Sequence, residues 1–325
     1  MTTLKPNTSV SRGCRRMILI SEFMDPGAVR ELSARFDVTY APDLADRQSD
    51  IPSQLAGKRA LIVRNRTQVT RDLIDAAHDL CVVGRLGVGL DNIDQEACFA
   101  RGIDVIPAIG ANNLSVAEYV VTNALTLLRS AYQANDRMMA GDWPRMDCAG
   151  REASGKTLGL IGYGAIAQET AQMAAGLGMA ICAYDPLLPA ENPAWQNARA
   201  LDFEAVLEAS DVVSLHVPLL DATRHMINAK ALARMKPGSV LINAARGGVV
   251  DEAALADALR ADGGIAGAAL DVFETEPLTA EAAAKFESIK NLILTPHIAG
   301  VTEESNVRVS SLIAARVAEK LTQQS

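Results

Sequence analysis

The chain alternates between short runs of apolar residues and longer stretches whose apolar residues recur at helical spacing. The short runs predict strands at 17–20, 38–40, 60–63, 81–83, 103–107, 158–161, 180–185, 211–215, 239–242, 267–270 and 292–294. The main intervening stretches predict helices at 25–34, 70–77, 93–101, 112–129, 168–177, 251–260 and 303–321. Such βα alternation predicts an α/β fold of doubly wound parallel sheets. Residues 1 to about 15 are expected to be a disordered leader.

One strand of the second half ends in a glycine-rich turn. The apolar run 158–161 leads into G-x-G-x-x-A, formed by Gly162, Gly164 and Ala167. Gly162 permits a tight turn, Gly164 lets the backbone approach a pyrophosphate, and Ala167 lets the helix pack close to the strand. The helix N-terminus then offers free N–H groups to phosphates. The alternative is a glycine turn in an α/β protein that binds no nucleotide.

An acidic residue about twenty positions further on favours the nucleotide interpretation. The strand 180–185 ends in Asp185, where a carboxylate can accept hydrogen bonds from the adenosine ribose hydroxyls. That carboxylate repels a 2′-phosphate, and the next residues, 186–188, include no Arg to bind one. The sequence therefore predicts NAD rather than NADP as the cofactor.

Composition narrows the class of partner. A length of 325 residues allows two domains, and the formal net charge of −8 argues against nucleic acid or an anionic membrane as the main partner. The five Cys form no C-x-x-C pair and no zinc spacing, so no metal is expected. The odd count, without a secretory signal, favours a reducing cytoplasm. No segment is long and apolar enough to predict a membrane span.

Polar residues follow the strands of the second half at the edge where ligands bind in such sheets. His216 follows one strand, and Arg246, Glu276 and His297 lie in the loops after three others. A His can take the hydroxyl proton during hydride transfer, a carboxylate can stabilise the imidazolium, and a guanidinium can hold a substrate carboxylate. Each of the three has an alternative, because Arg246 and Glu276 could be surface charges and His297 a turn residue.

Two further residues are interpreted as structural. His216 at the end of an apolar strand is expected to be a packed, hydrogen-bonded histidine rather than a catalyst. Glu274 is expected to be a solvated charge before Pro277.

Several long blocks resemble the D-isomer-specific 2-hydroxyacid dehydrogenases, and most of all their D-3-phosphoglycerate dehydrogenase-like members. The blocks, in chain order, are V-R-N-R-T (63–67), G-V-G-L-D-N-I-D (87–94), N-N-L-S-V-A-E (112–118), S-L-H-V-P-L (214–219), N-A-A-R-G-G-V-V-D-E (243–252), A-L-D-V-F-E-T-E-P-L (269–278) and L-T-P-H-I-A-G (294–300). The resemblance covers nearly the whole chain from about residue 17.

The resemblance implies a role for each matching position. Arg246 would bind the substrate, Glu276 would pair with His297, and His297 would be the acid/base. The substrate carboxylate would meet the backbone at Val88 and Gly89, with Asn112 and Arg64 nearby. The residues implied to contact NAD, besides Gly162 and Gly164, are Ala165, Ile166, Asp185, Pro218, Ala244, Asp271 and Gly300.

The resemblance also implies the domain plan. A Rossmann NAD-binding domain at 109–297 would lie between the two parts of a flavodoxin-like substrate domain, 1–108 and 298–325, with a cleft between the domains. Such proteins are commonly homodimers paired through the cofactor domain, and the long helix predicted at 112–129 suits burial in an interface. Because the chain ends soon after the last predicted helix, we expect no C-terminal regulatory domain and no serine feedback.

Departures from the family pattern leave the substrate open. Ala167 replaces the third fingerprint Gly, Asn65 stands where Ser is common, and Ala299 stands beside His297 where Gly is common. Three cations, Arg64, Arg66 and Arg85, lie in segments expected near the substrate. They suggest a small anionic hydroxy or keto acid with a second anion, such as 3-phosphoglycerate or sulfolactate, because a buried dianion needs more than one cation. Surface ion pairs are the alternative.

Rival functions belong to other classes. One is an NAD(H)-sensing corepressor-like protein without significant turnover. Another is an S-adenosylmethionine methyltransferase with a similar glycine turn, which has no need for the Arg, Glu and His loops. Formate- or phosphite-oxidising enzymes are a further possibility within the family. The sequence predicts the NAD-dependent 2-hydroxyacid dehydrogenase.

Overall fold

The computed structural model of the protein describes residues 17–130 and 134–323. The expected leader at 1 to about 15 lies outside these ranges. The strands are Met17–Ile20 (β1), Asp37–Tyr40 (β2), Lys58–Val63 (β3), Val82–Arg85 (β4), Asp104–Pro107 (β5), Thr157–Ile161 (β6), Ala180–Tyr184 (β7), Arg199–Ala200 (β8), Val212–Leu215 (β9), Val240–Asn243 (β10), Gly267–Leu270 (β11) and Leu292–Leu294 (β12). The helices are Pro26–Ser33 (α1), Ile51–Gln54 (α2), Arg71–Ala76 (α3), Gln95–Ala100 (α4), Asn113–Arg129 (α5), Asn135–Met139 (α6), Ala165–Gly176 (α7), Phe203–Ala209 (α8), Ala229–Arg234 (α9), Glu252–Arg260 (α10), Ala280–Ala283 (α11) and Glu303–Gln323 (α12).

The chain divides into two compact units. Within the described residues, the first contains 17–112 and 303–323, and the second contains 113–130 and 134–302. The predicted boundaries stood after residue 108 and before residue 298, so the division lies slightly C-terminal to both. Two parallel-sheet α/β units confirm the predicted fold class.

The first unit is built on a five-stranded parallel sheet with the order β2-β1-β3-β4-β5, which is the flavodoxin-like order. Helices α1 and α12 cover one face, where Leu32 and Ile313 are buried against Ile18 and Ile62. Helices α3 and α4 cover the other face through Ile74 and Cys98. Fully buried faces explain why these strands are continuous apolar runs rather than alternating ones.

The second unit is built on a seven-stranded parallel sheet with the order β12-β11-β10-β9-β6-β7-β8. Six of its strands, β11-β10-β9-β6-β7-β8, follow the Rossmann order. In that order the chain first adds strands on one side of β6 and then adds strands on the other side. Helices α5 and α7 cover one face, with Val120 and Ala171 buried there. Helices α8, α9 and α10 cover the other face, with Leu207, Leu232 and Leu255 buried there. The glycine turn therefore lies at the switch point of this sheet, between β6 and α7.

Short elements are the main differences from the sequence-based expectations. Helix α7 begins at Ala165, three residues before the predicted 168, because the glycine turn leads directly into it. Helix α6 occupies part of a segment expected to be loop. Helices α8 and α9 have only 7 and 6 residues, which is too short for an apolar period to stand out.

Candidate functional site

The glycine turn leaves the N-terminus of α7 open. Gly162 has φ of +88°, and a Cβ there would lie 2.6 Å from the carbonyl oxygen of His216, so the turn requires glycine. Gly164 is the N-cap of α7, and no side chain within the described ranges caps the helix there. A Cβ on Gly164 would meet nothing within 4 Å. Free N–H groups, a helix dipole and open space together fit a bound phosphate.

Packing and hydrogen bonds fix this turn from both sides. Ala167 has no exposed surface and lies against the sheet, as its small size predicted. Asp185 follows β7, and its two carboxylate oxygens accept hydrogen bonds from the backbone N–H of Tyr163 at 2.8 Å and of Leu187 at 3.0 Å. The carboxylate therefore stands directly beside the glycine turn. Each oxygen keeps a second lone pair that can accept a ribose hydroxyl.

The other predicted NAD contacts lie at the carboxyl edge of the same sheet, and their roles stay predictions. Ala165 and Ile166 form the first turn of α7. Pro218 and Ala244 follow β9 and β10, and neither is fully buried. Gly300 lies after β12 and is half-buried.

His297 and Glu276 form a close pair of ionisable side chains at this edge. The Nδ1 atom of His297 lies 2.7 Å from Oε2 of Glu276, and the two side chains are 38% and 34% exposed. The other oxygen of Glu276 accepts the backbone N–H of Phe273 at 3.0 Å. Because Nδ1 faces the carboxylate, Nε2 is the ring nitrogen left for a substrate.

The carboxyl group of Glu276 is shifted towards its ionised form. Partial burial acts to raise its pKa, but the hydrogen bond and charge of His297, the Phe273 N–H and the charge of Arg246 outweigh it and lower the pKa below its ordinary value. Glu276 is therefore the ionised partner of the histidine at neutral pH.

The loop of Arg246 packs directly on the loop of Glu276. Asn243, the last residue of β10, donates from Nδ2 to the carbonyl of Arg246 at 3.0 Å, and Nη1 of Arg246 donates to the carbonyl of Ala245 at 2.6 Å. A Cβ on Gly247 would lie 1.7 Å from the carbonyl oxygen of Phe273, so only glycine allows this contact.

Glu274 is exposed, as the sequence suggested, but its carboxylate is paired with other side chains rather than only solvated. It belongs to a group that we call the loop-bridging cluster, defined as His225, Glu252, Glu274 and Lys285. The backbone N–H of Glu274 donates to Oε1 of Glu252 at 2.7 Å, and the backbone N–H of Glu252 donates to Oε1 of Glu274 at 3.3 Å. Lys285 lies 2.8 Å from Glu252, and His225 lies 3.0 Å from Glu274.

The loop-bridging cluster holds the Arg246 and Glu276 loops together. Glu252 is only 2% exposed, so its charge requires the Lys285 ammonium and the backbone donor. Burial acts to lower the pKa of Lys285, but the two glutamates outweigh burial and raise it. The sequence held a partial signal, because Glu252 and Glu274 both lie in blocks that resemble the family.

His216 has the structural role that was expected of it. Its Nε2 lies 3.0 Å from Oγ of Ser214, and burial lowers its pKa to about 4. A lowered pKa makes this ring less suited to proton transfer at pH 7, which agrees with the structural interpretation.

The predicted substrate residues Arg64, Val88, Gly89 and Asn112 all lie in the first unit. Val88 and Gly89 follow β4, and Asn112 ends the first part of the unit. The backbone N–H of Arg64 donates to Glu22 at 2.8 Å, and its Nη2 donates to Oδ1 of Asn306 at 2.7 Å. Burial, opposed by the charge of Glu22, lowers the pKa of Arg64.

The other two arginines of the second-anion hypothesis have partners of their own. Arg66 forms an exposed ion pair with Asp46, which is the surface alternative raised above. Arg85 turns back on the backbone, where its Nη1 donates to the carbonyl of Leu86 at 3.1 Å. Arg64 differs from the other two because buried Glu22 accepts its backbone N–H and half-buried Asn306 accepts its guanidinium.

Two features are absent from the described part of the chain. Within residues 17–130 and 134–323, no three His, Cys, Asp or Glu side chains are grouped closely enough to hold a metal ion. None of the helices in those ranges combines the length and apolar character needed to cross a bilayer.

The geometry described above is that of a nucleotide-binding oxidoreductase, and comparison with known proteins identifies its family. The family model for the D-isomer specific 2-hydroxyacid dehydrogenase, NAD binding domain, matches residues 121–299. The chain belongs to the D-isomer specific 2-hydroxyacid dehydrogenase family.

Relatives along the whole chain support this assignment. An (S)-sulfolactate dehydrogenase of Chromohalobacter salexigens is 53% identical over 94% of this chain and 98% of its own length. A D-3-phosphoglycerate dehydrogenase of Bacillus subtilis is 40% identical over 94% of this chain, which spans 56% of that relative. The crystal structure of a D-lactate dehydrogenase from Aquifex aeolicus, complexed with NAD and lactic acid, matches with a TM-score of 0.83 at 28% identity, covering 95% of this chain and 96% of that one.

These comparisons confirm the predicted reaction class. The chain is an NAD-dependent oxidoreductase of 2-hydroxy acids. The predicted cofactor, NAD, is confirmed with it. Nothing among the relatives supports the corepressor-like alternative.

Proposed function

We propose that the protein interconverts a small 2-hydroxy acid and its 2-keto acid, with His297 as acid/base, Glu276 as its partner and Arg246 as the substrate-binding cation. The observation that carries this assignment is the 2.7 Å contact between His297 and Glu276 beside the Arg246 loop. For the substrate, we propose an acid with a second anion at the far end, of the sulfolactate type.

The residues around the glycine turn fit NAD. The uncapped first turn of α7 and the space above Gly164 suit the pyrophosphate. Asp185 stands where the adenosine ribose hydroxyls would bind, and its charge disfavours a 2′-phosphate. Bound NADH supplies the hydride for reduction at C2.

The protein's own part in reduction is to deliver one proton and to hold one carboxylate. His297 donates a proton from Nε2 to the C2 carbonyl oxygen, while Nδ1–H stays bonded to Glu276. Glu276 fixes the ring and stabilises its charged form before the proton leaves. In the oxidative direction His297 takes the hydroxyl proton back.

Arg246 fits the substrate carboxylate because a guanidinium offers parallel donors to two oxygens. Its backbone is fixed by Asn243 and by the contact of Gly247 with Phe273. For Val88, Gly89 and Asn112 of the first unit, the substrate-binding role implied by the resemblance is kept as a proposal.

The second anion of the substrate is proposed to bind Arg64. This side chain is oriented by Asn306, and its pKa is lowered by burial, so a bound anion would restore the favourable environment that burial removes. The 53% identity to an (S)-sulfolactate dehydrogenase favours a sulfonate.

A spectrophotometric NADH assay tests the substrate. Sulfopyruvate, phosphohydroxypyruvate, hydroxypyruvate, glyoxylate and pyruvate are compared as acceptors. We expect the highest kcat/KM with sulfopyruvate. Arg64→Ala should raise the KM for a dianion at least about tenfold more than the KM for glyoxylate, since one charged hydrogen bond is lost. Equal effects on both acids would refute the second-anion site.

The protein is also proposed to be a cytoplasmic homodimer. Met139, Trp143 and Met146 are 80%, 78% and 80% exposed, and they lie close after the long helix α5. Exposed large apolar side chains are a feature of interaction surfaces, and a second copy is the partner that we propose for this segment. Cys81, Cys98, Cys148 and Cys182 are free thiols, which suits a reducing compartment. Light scattering of purified protein tests the dimer, and cell fractionation tests the location.

A further inference from the structure

The loop that carries His297 has an unusual backbone conformation. His297 has φ of +56°, in the left-handed region that non-glycine residues rarely adopt. Such a conformation persists only where surrounding contacts determine it. The groups that hold this loop in place therefore set where the imidazole points.

Asp271 accepts hydrogen bonds from residues on both sides of His297. Its Oδ1 accepts from Oγ1 of Thr295 at 2.6 Å and from the N–H of Ile298 at 2.8 Å, and its Oδ2 accepts from the N–H of Ala299 at 2.8 Å. Its backbone carbonyl accepts the N–H of His297 at 2.8 Å. Asp271 is 1% exposed, so these bonds form away from water.

The chain of hydrogen bonds continues from Thr295 to helix α5. The hydroxyl oxygens of Thr295 and Tyr119 are 2.7 Å apart. Because the carboxylate of Asp271 can only accept, the hydroxyl proton of Thr295 points towards it, and the Thr295 oxygen must accept the proton of Tyr119. Burial is the main cause that raises the pKa of Tyr119 to about 12, so this phenol stays a donor at working pH.

The chain of hydrogen bonds ends on helix α5, which is packed into the core of the second unit. It has 17 residues, and its buried residues Val120, Ala124 and Leu128 belong to the core cluster that also includes Ala167 and Ala171 of α7. Tyr119 packs against that same cluster. The phenol is thus held by the element that packs against the nucleotide-binding helix.

We propose that Tyr119 and Thr295 are positioning residues for the acid/base His297, acting through Asp271. The inference rests on the proposed role of His297. It gives Asp271 a role in holding the His297 loop in addition to the NAD contact implied by the resemblance. Without the Tyr119–Thr295–Asp271 chain, the imidazole would lose its fixed approach to Glu276 and to the substrate carbonyl.

The test compares Thr295→Val, Thr295→Ser and Tyr119→Phe with wild type, with Thr126→Val on the same helix as matched control. The hydroxyl of Thr126 donates to the carbonyl of Thr122, one turn earlier, so its loss leaves the Tyr119–Thr295–Asp271 chain intact. For each protein, kcat, KM for the keto acid, NADH affinity by fluorescence, the pH profile of kcat and its solvent deuterium isotope effect are measured.

Thr295→Val should lower kcat about tenfold, because small misplacements of reacting groups are costly, while NADH affinity changes by less than about twofold. The solvent deuterium isotope effect on kcat should rise in this variant, because proton transfer becomes rate-limiting. For the same reason the alkaline limb of its pH–kcat profile should shift. Tyr119→Phe should show the same changes at about threefold, and Thr295→Ser and Thr126→Val should match wild type.

Three results would overturn the inference. The first is a folded Thr295→Val protein with normal kcat and pH profile. The second is weakened NADH binding with normal kcat at saturating NADH, which would mean that Asp271 serves only the cofactor. The third, should Thr295→Val fail to fold, is a Tyr119→Phe protein identical to wild type. Failure of the proposed function itself would appear separately, as wild type without turnover on any of the keto acids.

Discussion

The first βα turn of each unit has the same topology, but the N-termini of the two helices are capped differently. In the first unit, Asp25 caps α1, and its Oδ1 accepts the N–H of Gly27 at 2.8 Å and of Ala28 at 3.3 Å. In the second unit, Gly164 caps α7 without any side chain. One helix N-terminus is therefore filled by the protein's own carboxylate, and the other is left for an external anion.

Acids elsewhere in the two units differ in the same way. Glu22, 3% exposed, directs its carboxylate to the backbone N–H groups of Arg64, Arg66 and Thr67. Glu276 directs one oxygen to the backbone of Phe273 and the other to a half-exposed imidazole. The comparison teaches that the edge of a parallel sheet can bind a ligand where its polar side chains are not all hydrogen-bonded to nearby backbone groups.

The largest expected effect is the loss of the imidazole in the second unit. His297→Ala should lower turnover at least about a hundredfold, because general acid–base help is removed. The control is His78→Ala, an exposed histidine of the first unit, which should leave kcat unchanged. Steady-state NADH oxidation decides the matter, and near-normal turnover in His297→Ala would remove the residue from its proposed role.

The next effect comes from giving α7 the cap of α1. Gly164→Asp should fold, since Asp is a preferred N-cap and a Cβ there meets nothing within 4 Å. It should weaken NADH binding at least about tenfold, because the new carboxylate repels the pyrophosphate and takes its N–H donors. Calorimetric titration measures the change, and unaltered affinity in a folded variant would contradict the open-N-terminus account.

A smaller effect should appear in the pH dependence of Glu276→Gln. The pKa of Glu276 is lowered in the fold, so its contribution to the pair is present above the ordinary carboxyl value and is lost only as pH falls through the lowered one. Without that charge the protonated ring loses its carboxylate partner, so the alkaline decline of keto-acid reduction should move to lower pH. A pH–kcat profile with an unmoved alkaline limb would show that Glu276 does not serve His297.

The smallest effect is expected in the first unit. Asp25→Ala removes the cap of α1 and should cost about 1 kcal/mol of unfolding free energy. It should leave NADH affinity unchanged, because α1 is not expected to bind the cofactor. Urea unfolding and NADH titration measure the two quantities. Weakened NADH binding would contradict the claim that the α1 cap serves only the stability of the first unit.

Sequence alone was sufficient where the signal is local. Apolar runs predicted strands such as β6 and β9, and the spacing of Gly162, Gly164 and Asp185 predicted the nucleotide turn, because neighbours in the chain build both. The open cap at Gly164 and the filled cap at Asp25 could also be inferred from residue type alone.

Contacts between distant segments could not be predicted. The carboxylates of Glu252 and Glu274 each accept the other residue's backbone N–H across 22 residues. The hydroxyls of Tyr119 and Thr295 are hydrogen-bonded across 176 residues. Asn306 orients Arg64 from 242 residues away. Such pairings depend on how strands are ordered in the sheet, which periodicity does not encode, so Glu274 was interpreted as a solvated charge.

Isotope transfer tests the central claim most directly. Wild-type protein is incubated with NADH carrying two deuterium atoms at C4 and with sulfopyruvate, and the product is analysed by mass spectrometry and NMR. The account predicts a hydroxy acid one mass unit heavier, with the deuterium on C2, and its formation should slow sharply in His297→Ala. A product without deuterium at C2, or no product with any of the five keto acids, would contradict it.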